Sequence, residues 1–375
     1  MASDVPSPAA DRAGGILTID PSAVAENYRR VLRVIGPGVK AAAAVKADAY
    51  GLGVENIAPA LYGAGCRHFF VAHLAEGMVL RPLLPSDASV LVLHGPPPGT
   101  AGDLHAAGLI PVLNSPDQIA EWSALAQSRE SSLPAVVQID SGMARFGLSE
   151  ADLHGLARKS DALSGIDVSL VMSHLACADE PEHPANRAQL LQFERLRGLL
   201  PPAPYSLAAS SGLFLGSDWH FDLVRPGAAL YGVNPTPYAL SPVCPVIRLS
   251  ARVIQTRDVQ AGQAVGYGAA FVAGRASRIA LLGIGYGDGY LRSAGGRARV
   301  SLPSHPELHL PVTGRISMDS LCVDVTGAPE GLIREGVLLD LIGPHLSIDE
   351  AASSAGTIGY ELLTGLGGRY HRVIL

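Results

Sequence analysis

Eight short apolar runs recur in the first 235 residues of the chain, and helix-compatible stretches separate them. Runs that are apolar at nearly every position are typical of strands covered on both faces, as in a parallel sheet flanked by helices. Eight strands that alternate with helices predict a (β/α)₈ TIM-type barrel, and an open doubly wound sheet is the alternative. The runs are AAAAV (41–45), FFVA (69–72), VLVLH (90–94), IPVLN (110–114), AVVQI (135–139), VSLVMS (168–173), YSLAAS (205–210) and GAALYGV (227–233).

The stretches between the runs carry the signals of amphipathic helices. In SAVAENYRRVLRVI the apolar residues recur at helical spacing, and Ser22 is the predicted N-cap. In SPDQIAEWSALAQ, Ser115 is the predicted cap and Pro116 occupies the first helical position, where a missing N–H is harmless. The segment NRAQLLQFERLRGLL has the same amphipathic pattern.

The pattern changes after about residue 240. Strand-like segments such as PVIRLSARVIQTRDV and RIALLGIGYGDGY follow one another across Gly and Pro turns, and only IDEAASSAG and IGYELLTGL are helix-like. We therefore predict a loose N-terminal tail over residues 1–14, a barrel domain over 15–240 and a mainly antiparallel β domain over 241–375.

The composition argues against several classes of protein. With 48% hydrophobic and 17% charged residues, the chain can bury a large core and is not intrinsically disordered. A net charge of −6 argues against a nucleic-acid binder, and no apolar segment reaches the roughly 18 residues of a membrane span. The N-terminus has no apolar stretch of signal-peptide length, and no cysteine pair has CxxC spacing, so we expect a cytoplasmic protein with reduced thiols and no metal site. The cysteines are Cys66, Cys177, Cys244 and Cys322.

The first apolar run ends abruptly at Lys46, in VKAAAAVKADAYGLG (39–53). Catalytic groups of barrel enzymes lie at the carboxyl ends of the strands. A lysine in a partly apolar site has a lowered pKa and can act as an amine nucleophile towards an aldehyde, as a Schiff base with pyridoxal phosphate (PLP) requires. A surface lysine at the start of a loop is the alternative at this point.

A set of segments, in order along both predicted domains, resembles the alanine racemase family. The resemblance implies a barrel plus a β domain, PLP as cofactor, and an amino-acid substrate. It also implies a homodimer whose active sites are shared between chains, and D-alanine supply for the bacterial cell wall. The segments are AVKADAYGLG (44–53), DSGMARFG (140–147), MSHLACAD (172–179), LVRPGAALYG (223–232), VGYGAAF (265–271), IGYGDGY (284–290), GRISMD (314–319) and TIGYELL (357–363).

The resemblance also implies roles for individual residues. Lys46 and Tyr267 are the expected catalytic bases, Lys46 for the proton of the D enantiomer and Tyr267 for that of the L enantiomer. Arg145 and the Met318 N–H are expected to bind the substrate carboxylate. Four residues resemble the substrate-access channel of the family: Asp179, Tyr286, Arg292 and Arg315. The expected cofactor-binding residues, besides Lys46, are Tyr50, His174, Ser211, Arg225, Gly227, Ala228 and Tyr360.

The resemblance implies that Arg225 determines which reaction of PLP is favoured. It is expected to face the PLP ring nitrogen, to which a guanidinium can only donate a hydrogen bond. The nitrogen then stays unprotonated and the cofactor withdraws electrons more weakly, which favours reprotonation at Cα over transamination or decarboxylation. His174 is expected to bond to Arg225.

Gln138 departs from the pattern of many family members. They carry a lysine, often carbamylated, seven residues before the arginine equivalent to Arg145. Glutamine cannot form a carbamate, but its side-chain oxygen can accept a hydrogen bond from Arg145. Ser317 stands where many relatives have cysteine, and we expect little effect from it.

Alanine racemisation has three alternatives. Serine is a second possible substrate of the same site. A fold-related PLP decarboxylase needs an acidic partner at the ring nitrogen, where this chain has Arg225. A non-catalytic PLP carrier of the single-barrel type lacks the second domain.

Overall fold

The computed structural model of the protein describes residues 8–159 and 161–375. The chain divides into two compact units. One comprises Val24–Leu230 and Asn234–Cys244, and we call it the barrel unit. The other comprises the described residues of Met1–Ala23 together with Tyr231–Val233 and Pro245–Leu375, and we call it the β unit. The first strand of the chain, β1 (Gly15–Ile19), belongs to the β unit.

The strands of the barrel unit pair in parallel and close into a ring. Strands β3 to β9 pair in chain order, and β10 pairs with β2, which is continuous in the chain with β3. On its other side β10 meets the segment after β9, where the Arg225 N–H donates to the Ala208 carbonyl at 2.9 Å. The barrel prediction is confirmed and the open-sheet alternative is wrong. The strands are β2 (Lys40–Ala41), β3 (Ala43–Ala44), β4 (His68–Val71), β5 (Ser89–Val92), β6 (Ile110–Leu113), β7 (Leu133–Gln138), β8 (Ile166–Met172), β9 (Tyr205–Ser206) and β10 (Leu223–Val224).

Apolar side chains from successive strands form a buried cluster inside this ring. Alternate residues of a strand face opposite sides of the sheet, so the strands that line the cluster contribute one or two members each. Small residues from the first strand segment meet larger residues from the others, which lets the side chains interdigitate. The cluster contains Ala42, Ala44, Phe70, Leu91, Val112, Val136, Leu170, Met172 and Leu223.

Helices connect the strands as predicted. Ser115 caps α6 by accepting the Gln118 N–H at 3.3 Å, which confirms that prediction. The prediction of Ser22 as a cap is wrong, because α1 begins at Pro21 and the Asp20 carboxylate accepts the Ser22 N–H at 2.8 Å. The helices of this part of the chain are α1 (Pro21–Ile35), α2 (Lys46–Gly51), α3 (Val54–Gly63), α4 (Leu74–Leu80), α5 (Ala101–Ala106), α6 (Pro116–Ser128), α7 (Glu150–Ala157) and α8 (Pro184–Arg197).

The eighth strand is not the run GAALYGV (227–233). The strand is Leu223–Val224, and Ala228–Tyr231 forms a 3₁₀ turn. Pro226 has no N–H to extend the ladder. After it, the Gly227 and Ala229 N–H groups donate to the Ser210 hydroxyl at 2.9 and 3.2 Å instead of to a neighbouring strand.

The β unit is built on a mainly antiparallel sheet with the order β14-β17-β16-β15-β18-β11-β1-β19. Its N-terminal strand β1 pairs antiparallel with β11 and parallel with β19. The two predicted helices are present as α9 (Ile348–Ser354) and α10 (Gly359–Gly365). The strands are β11 (Ile247–Val259), β12 (Ala264–Val265), β13 (Phe271–Val272), β14 (Ser277–Leu282), β15 (Arg299–Leu302), β16 (His305–Thr313), β17 (Leu321–Asp324), β18 (Leu338–Ile342) and β19 (His371–Ile374).

Part of the predicted N-terminal tail is anchored to the β unit. Residues 1–7 lie outside the described residues. Further along, Arg252 donates to the Ala10 carbonyl at 2.8 Å and to the Ala13 carbonyl at 3.3 Å. In the described part of the chain, no helix is both long enough and apolar enough to cross a bilayer.

Candidate active site

The carboxyl ends of the barrel strands carry three of the predicted site residues. Lys46 lies two residues after β3, His174 two residues after β8, and Arg225 directly after β10. In a parallel barrel these strand ends share one rim. The Arg225 Nη2 and the His174 Nδ1 lie 3.4 Å apart.

The segment after Lys46 is a turn of left-handed helix. Residues 47–50 have φ angles between 53° and 58°, and Gly51 continues with a φ of 82°. For residues other than glycine this conformation costs roughly 1–2 kcal/mol each. A bond of 2.9 Å from the Ala49 N–H to the Val45 carbonyl holds the turn from within. The first apolar run thus ends where the backbone enters the left-handed helical region.

The amine of Lys46 is partly withdrawn from water. Burial is the main reason that its pKa lies below the ordinary value for lysine. The positive charge of Arg145 lowers the pKa of Lys46 further, whereas the carboxylate of Glu76 raises it. Lys46 therefore has more neutral amine at neutral pH than a surface lysine has.

Arg225 is a buried cation held by neutral acceptors. Its guanidinium donates to the Ser206 hydroxyl, to the Ser173 carbonyl at 2.5 Å and to the Leu207 carbonyl at 3.4 Å. Burial lowers the pKa of Arg225 to about 10, so the group stays protonated at neutral pH. Within residues 8–159 and 161–375, no carboxylate pairs with it and its Nε–H has no hydrogen-bond partner. A donor is thus left for a bound acceptor.

His174 is neutral beside this cation. Burial, and then the positive charges of Arg225, Arg145 and Lys46, lower the pKa of His174 to about 3. A neutral imidazole can accept a hydrogen bond from Arg225 through Nδ1, which agrees with the 3.4 Å approach.

Gly227 and Tyr50 meet where a side chain on residue 227 would not fit. A Cβ atom built on Gly227 would lie 2.3 Å from the Tyr50 hydroxyl oxygen and 3.3 Å from the Ala44 Cβ. Tyr50 is buried, on the left-handed turn after Lys46. The glycine therefore allows the phenol to lie against the backbone that follows Arg225.

A pair of serines lies after β9, next to the same backbone. Ser211 precedes a 3₁₀ turn (Gly212–Phe214), and its hydroxyl makes no cap hydrogen bond there. Ser210, which sequence reasoning missed, holds the Gly227 N–H. The Ala228 N–H has no hydrogen-bond partner in the described chain. The only signal for Ser210 was its place beside Ser211.

Arg145 and Gln138 do not bond to each other. Gln138 is buried at the end of β7, whereas Arg145 is exposed in the following loop, with its guanidinium carbon 5.7 Å from the centre of the Phe146 ring. No hydrogen bond joins these two residues in the structure. The loop that carries Arg145 is held by the Asp140 carboxylate, which accepts backbone N–H groups at 2.8–3.1 Å. Asp179 is exposed in the loop after β8.

The β unit brings together a second set of predicted residues. Tyr267 is 66% exposed, in a 3₁₀ turn after Gly266. The next residue, Gly268, approaches Arg315 so closely that a Cβ on it would lie 3.0 Å from the Nη1 atom. Met318 is 54% exposed.

Tyr286 joins Met318 and Arg292 in this second set. The Tyr286 N–H donates to the Ser317 carbonyl at 3.0 Å, and the Gly287 N–H donates to the Met318 carbonyl at 2.8 Å. The guanidinium carbon of Arg292 lies 6.0 Å from the centre of the Tyr286 ring. Tyr360, the remaining predicted residue, lies in α10.

Comparison with known proteins decides the family. Residues 19–235 match the alanine racemase N-terminal domain, and residues 246–374 match the alanine racemase C-terminal domain. The chain belongs to the alanine racemase family.

Individual relatives match this chain along nearly its full length. The catabolic alanine racemase of Mesorhizobium japonicum is 50% identical, over 96% of this chain and 93% of its own. The alanine racemase of Rhodospirillum rubrum is 46% identical over 96% of each chain. The alanine racemase of Bartonella henselae, solved with covalently bound pyridoxal phosphate, has a TM-score of 0.92 and 40% identity, covering 97% of this chain and 100% of its own.

The biosynthetic alanine racemase of Pseudomonas aeruginosa is a further structural relative. It has a TM-score of 0.88 and 34% identity, covering 97% of this chain and 99% of its own. Family membership over both units contradicts the single-barrel carrier and the decarboxylase as alternatives.

Proposed function

We propose that the protein is a PLP-dependent alanine racemase that interconverts L-alanine and D-alanine. One observation carries the proposal most directly: Arg225 is a buried, protonated guanidinium with neutral partners and an uncommitted Nε–H, at the rim that also carries Lys46. An acidic residue at that position would favour other PLP reactions.

The residues of the barrel rim fit PLP. Lys46 supplies an amine with a lowered pKa for the cofactor aldehyde. The Ser211 hydroxyl, the Ala228 N–H and the Tyr50 hydroxyl beside Gly227 form a donor set suited to a phosphate group. Tyr360 of the β unit completes this set in the proposal, on family resemblance.

PLP, when bound, supplies an electron sink that makes the Cα–H of a bound amino acid acidic. Arg225 limits that sink because it donates a hydrogen bond to the ring nitrogen without giving up a proton. Arg145 and the Met318 N–H orient the substrate carboxylate. Lys46 and Tyr267 then exchange the Cα proton on opposite faces, each acting as base in one direction and acid in the other.

The substrate preference follows from the tyrosines of the channel. A pocket narrowed by Tyr286 and Tyr360 suits the methyl group of alanine, and serine is the second candidate. We further propose a cytoplasmic enzyme that supplies D-alanine for the cell wall. In it the barrel unit, which begins at Val24, holds PLP, and the β unit, which includes β1, supplies Tyr267 and Met318.

The assay adds L-alanine to the PLP-loaded protein and follows D-alanine and CO₂. We expect D-alanine without CO₂. Release of CO₂, or the formation of neither product, would refute the proposed racemase activity.

We also propose a homodimer in which Lys46 and Tyr267 of one site come from different chains. Tyr267 supports this, since a catalytic base that is 66% exposed in its own chain needs a partner surface to exclude water. Inactive Lys46→Ala and Tyr267→Phe proteins are mixed and allowed to exchange subunits. A mixed dimer has one site with both defects and one with neither, so random exchange should restore about a quarter of wild-type activity. No recovery, with exchange confirmed by tagged subunits, would rule out the shared site.

A further inference from the structure

Glu76, a residue outside the proposed catalytic set, is hydrogen-bonded to the backbone of the residue that follows Lys46. Its Oε1 atom accepts the Ala47 N–H at 2.7 Å. Its Oε2 atom accepts the Ala72 N–H at 2.7 Å and the His73 N–H at 3.1 Å. One half-buried carboxylate thus joins the start of the left-handed turn to the start of α4.

Capping alone does not account for this arrangement. A Glu at the third position of a helix ordinarily reaches back to the N-cap N–H, and Oε2 does this for α4. That role leaves Oε1 unused, and Oε1 is the atom that crosses to Ala47. The second contact serves the lysine segment and not the helix.

The backbone before and after Lys46 is therefore fixed to the same neighbouring βα unit. On the N-terminal side the Val45 N–H donates to the Phe70 carbonyl of β4 at 2.8 Å. On the C-terminal side the Ala47 N–H donates to Glu76 at 2.7 Å. The Val45 carbonyl, in the peptide that precedes Lys46, accepts the Ala49 N–H at 2.9 Å. Together these bonds restrict the backbone dihedral angles of Lys46, which set the direction of its side chain.

We propose that Glu76 is a positioning residue for the racemase reaction, because it holds the peptide after Lys46 and so directs the amine towards the site. The inference rests on the proposed function of Lys46. The charge of Glu76 has a second effect, since it raises the pKa of Lys46 against the effects of burial and Arg145.

The test compares Glu76→Gln with Glu121→Gln in the PLP-loaded protein. Glu121 is a matched control in the same unit, because it also accepts a helix-start N–H, that of Ala101 at 3.0 Å, on a different βα connection. Glutamine has one acceptor oxygen and no charge. Glu76→Gln can therefore accept from the N–H groups at the start of α4 or from the Ala47 N–H, but not from both. We expect kcat to fall about 10- to 100-fold in Glu76→Gln, with a smaller change in KM, and to stay within about 2-fold in Glu121→Gln.

Two spectroscopic and structural readouts separate positioning from folding. The apparent pKa seen in the visible absorbance of protein-bound PLP should fall in Glu76→Gln, because a negative charge near Lys46 is lost. Hydrogen exchange of residues 47–50 should accelerate in the same variant and not in Glu121→Gln. Unchanged kcat, absorbance and exchange in Glu76→Gln would overturn the proposal, as would equal losses of activity and stability in both variants.

Glu76→Asp keeps the charge and shortens the reach. We expect it to retain the apparent pKa of the wild type while losing kcat, and full activity in this variant would also overturn the proposal. It serves as the test if Glu76→Gln does not fold. Failure of the proposed function is seen separately, since the wild-type protein itself would then bind no PLP or form no D-alanine.

Discussion

A methyl group at position 227 would collide with the residue that we propose as a phosphate ligand. The Cβ atom of alanine there would lie 2.3 Å from the Tyr50 hydroxyl oxygen and 3.1 Å from its Cζ atom. Ordinary van der Waals contact begins near 3.4 Å, so Gly227→Ala requires the hydroxyl to withdraw by about 1.1 Å. Tyr50 is only 6% exposed and its backbone lies in the left-handed turn, so the phenol cannot simply move into solvent.

The magnitude follows from the cost of overpacking a buried site. We expect the free energy of unfolding of the PLP-free protein to fall by about 1–3 kcal/mol in Gly227→Ala, measured by urea denaturation. Displacement of one donor from an anionic ligand should weaken PLP binding by about 10- to 100-fold, measured by absorbance titration.

Two further variants isolate the contact. Gly102→Ala is the control, because a Cβ at Gly102 in α5 meets nothing within 4 Å, and it should be neutral or stabilising by up to about 1 kcal/mol. Adding Tyr50→Phe to Gly227→Ala removes the colliding oxygen, so stability should partly recover while PLP affinity stays low. If Gly227→Ala unfolds and binds PLP like the wild type, the account of Tyr50 fails.

Three other perturbations test separate parts of the site. Arg369→Ala removes contacts of 2.7 Å to Asp288 and to Asp319, which follow Tyr286 and Met318 closely in the chain, so KM for alanine should rise about 3- to 10-fold with a smaller change in kcat. Because Gln138 cannot form a carbamate, turnover should be the same with and without added bicarbonate, and a clear gain in rate would contradict this. His174→Gln should lose less stability on acidification than the wild type does. The free energy of unfolding, measured by urea denaturation at pH 7 and at pH 4, tests this.

The sign of the His174 effect follows from its pKa of about 3, lowered from 6.5 mainly by burial. The unfolded chain binds the proton first as the pH falls, so the stability contributed by neutral His174 is complete above pH 6.5 and is lost towards pH 3. Equal acid sensitivity of the wild type and His174→Gln would refute this prediction.

For Arg369→Ala the control is Arg299→Ala, which removes a comparable pair with Glu350 at 2.8 Å and should leave KM unchanged.

The barrel could be predicted because burial on both faces leaves apolar runs that are visible in the sequence. The eighth strand was misplaced because two residues, Leu223–Val224, give no run, whereas the longer GAALYGV segment does. The left-handed turn after Lys46 was not predicted, since alanine and tyrosine disfavour positive φ and one aspartate among them does not indicate four such residues in a row. Ser210 and Glu76 were missed for another reason: each acts by accepting backbone N–H groups, and those contacts depend on tertiary structure and not on local pattern.

The closure of the barrel has a consequence for its dynamics. The ring is closed between β2 and β10 by a short ladder, in which Lys40 pairs with Leu223 and Ala41 with Val224. A bond from the Ala44 N–H to the Pro226 carbonyl at 2.9 Å extends it. Short ladders open locally at low free energy, so this seam should exchange its amides and admit proteases before the longer β7–β8 ladder does. Arg225 follows the seam directly. A cofactor held by Arg225 would bind only the closed ring, and by mass action it should slow the opening of the seam beside it.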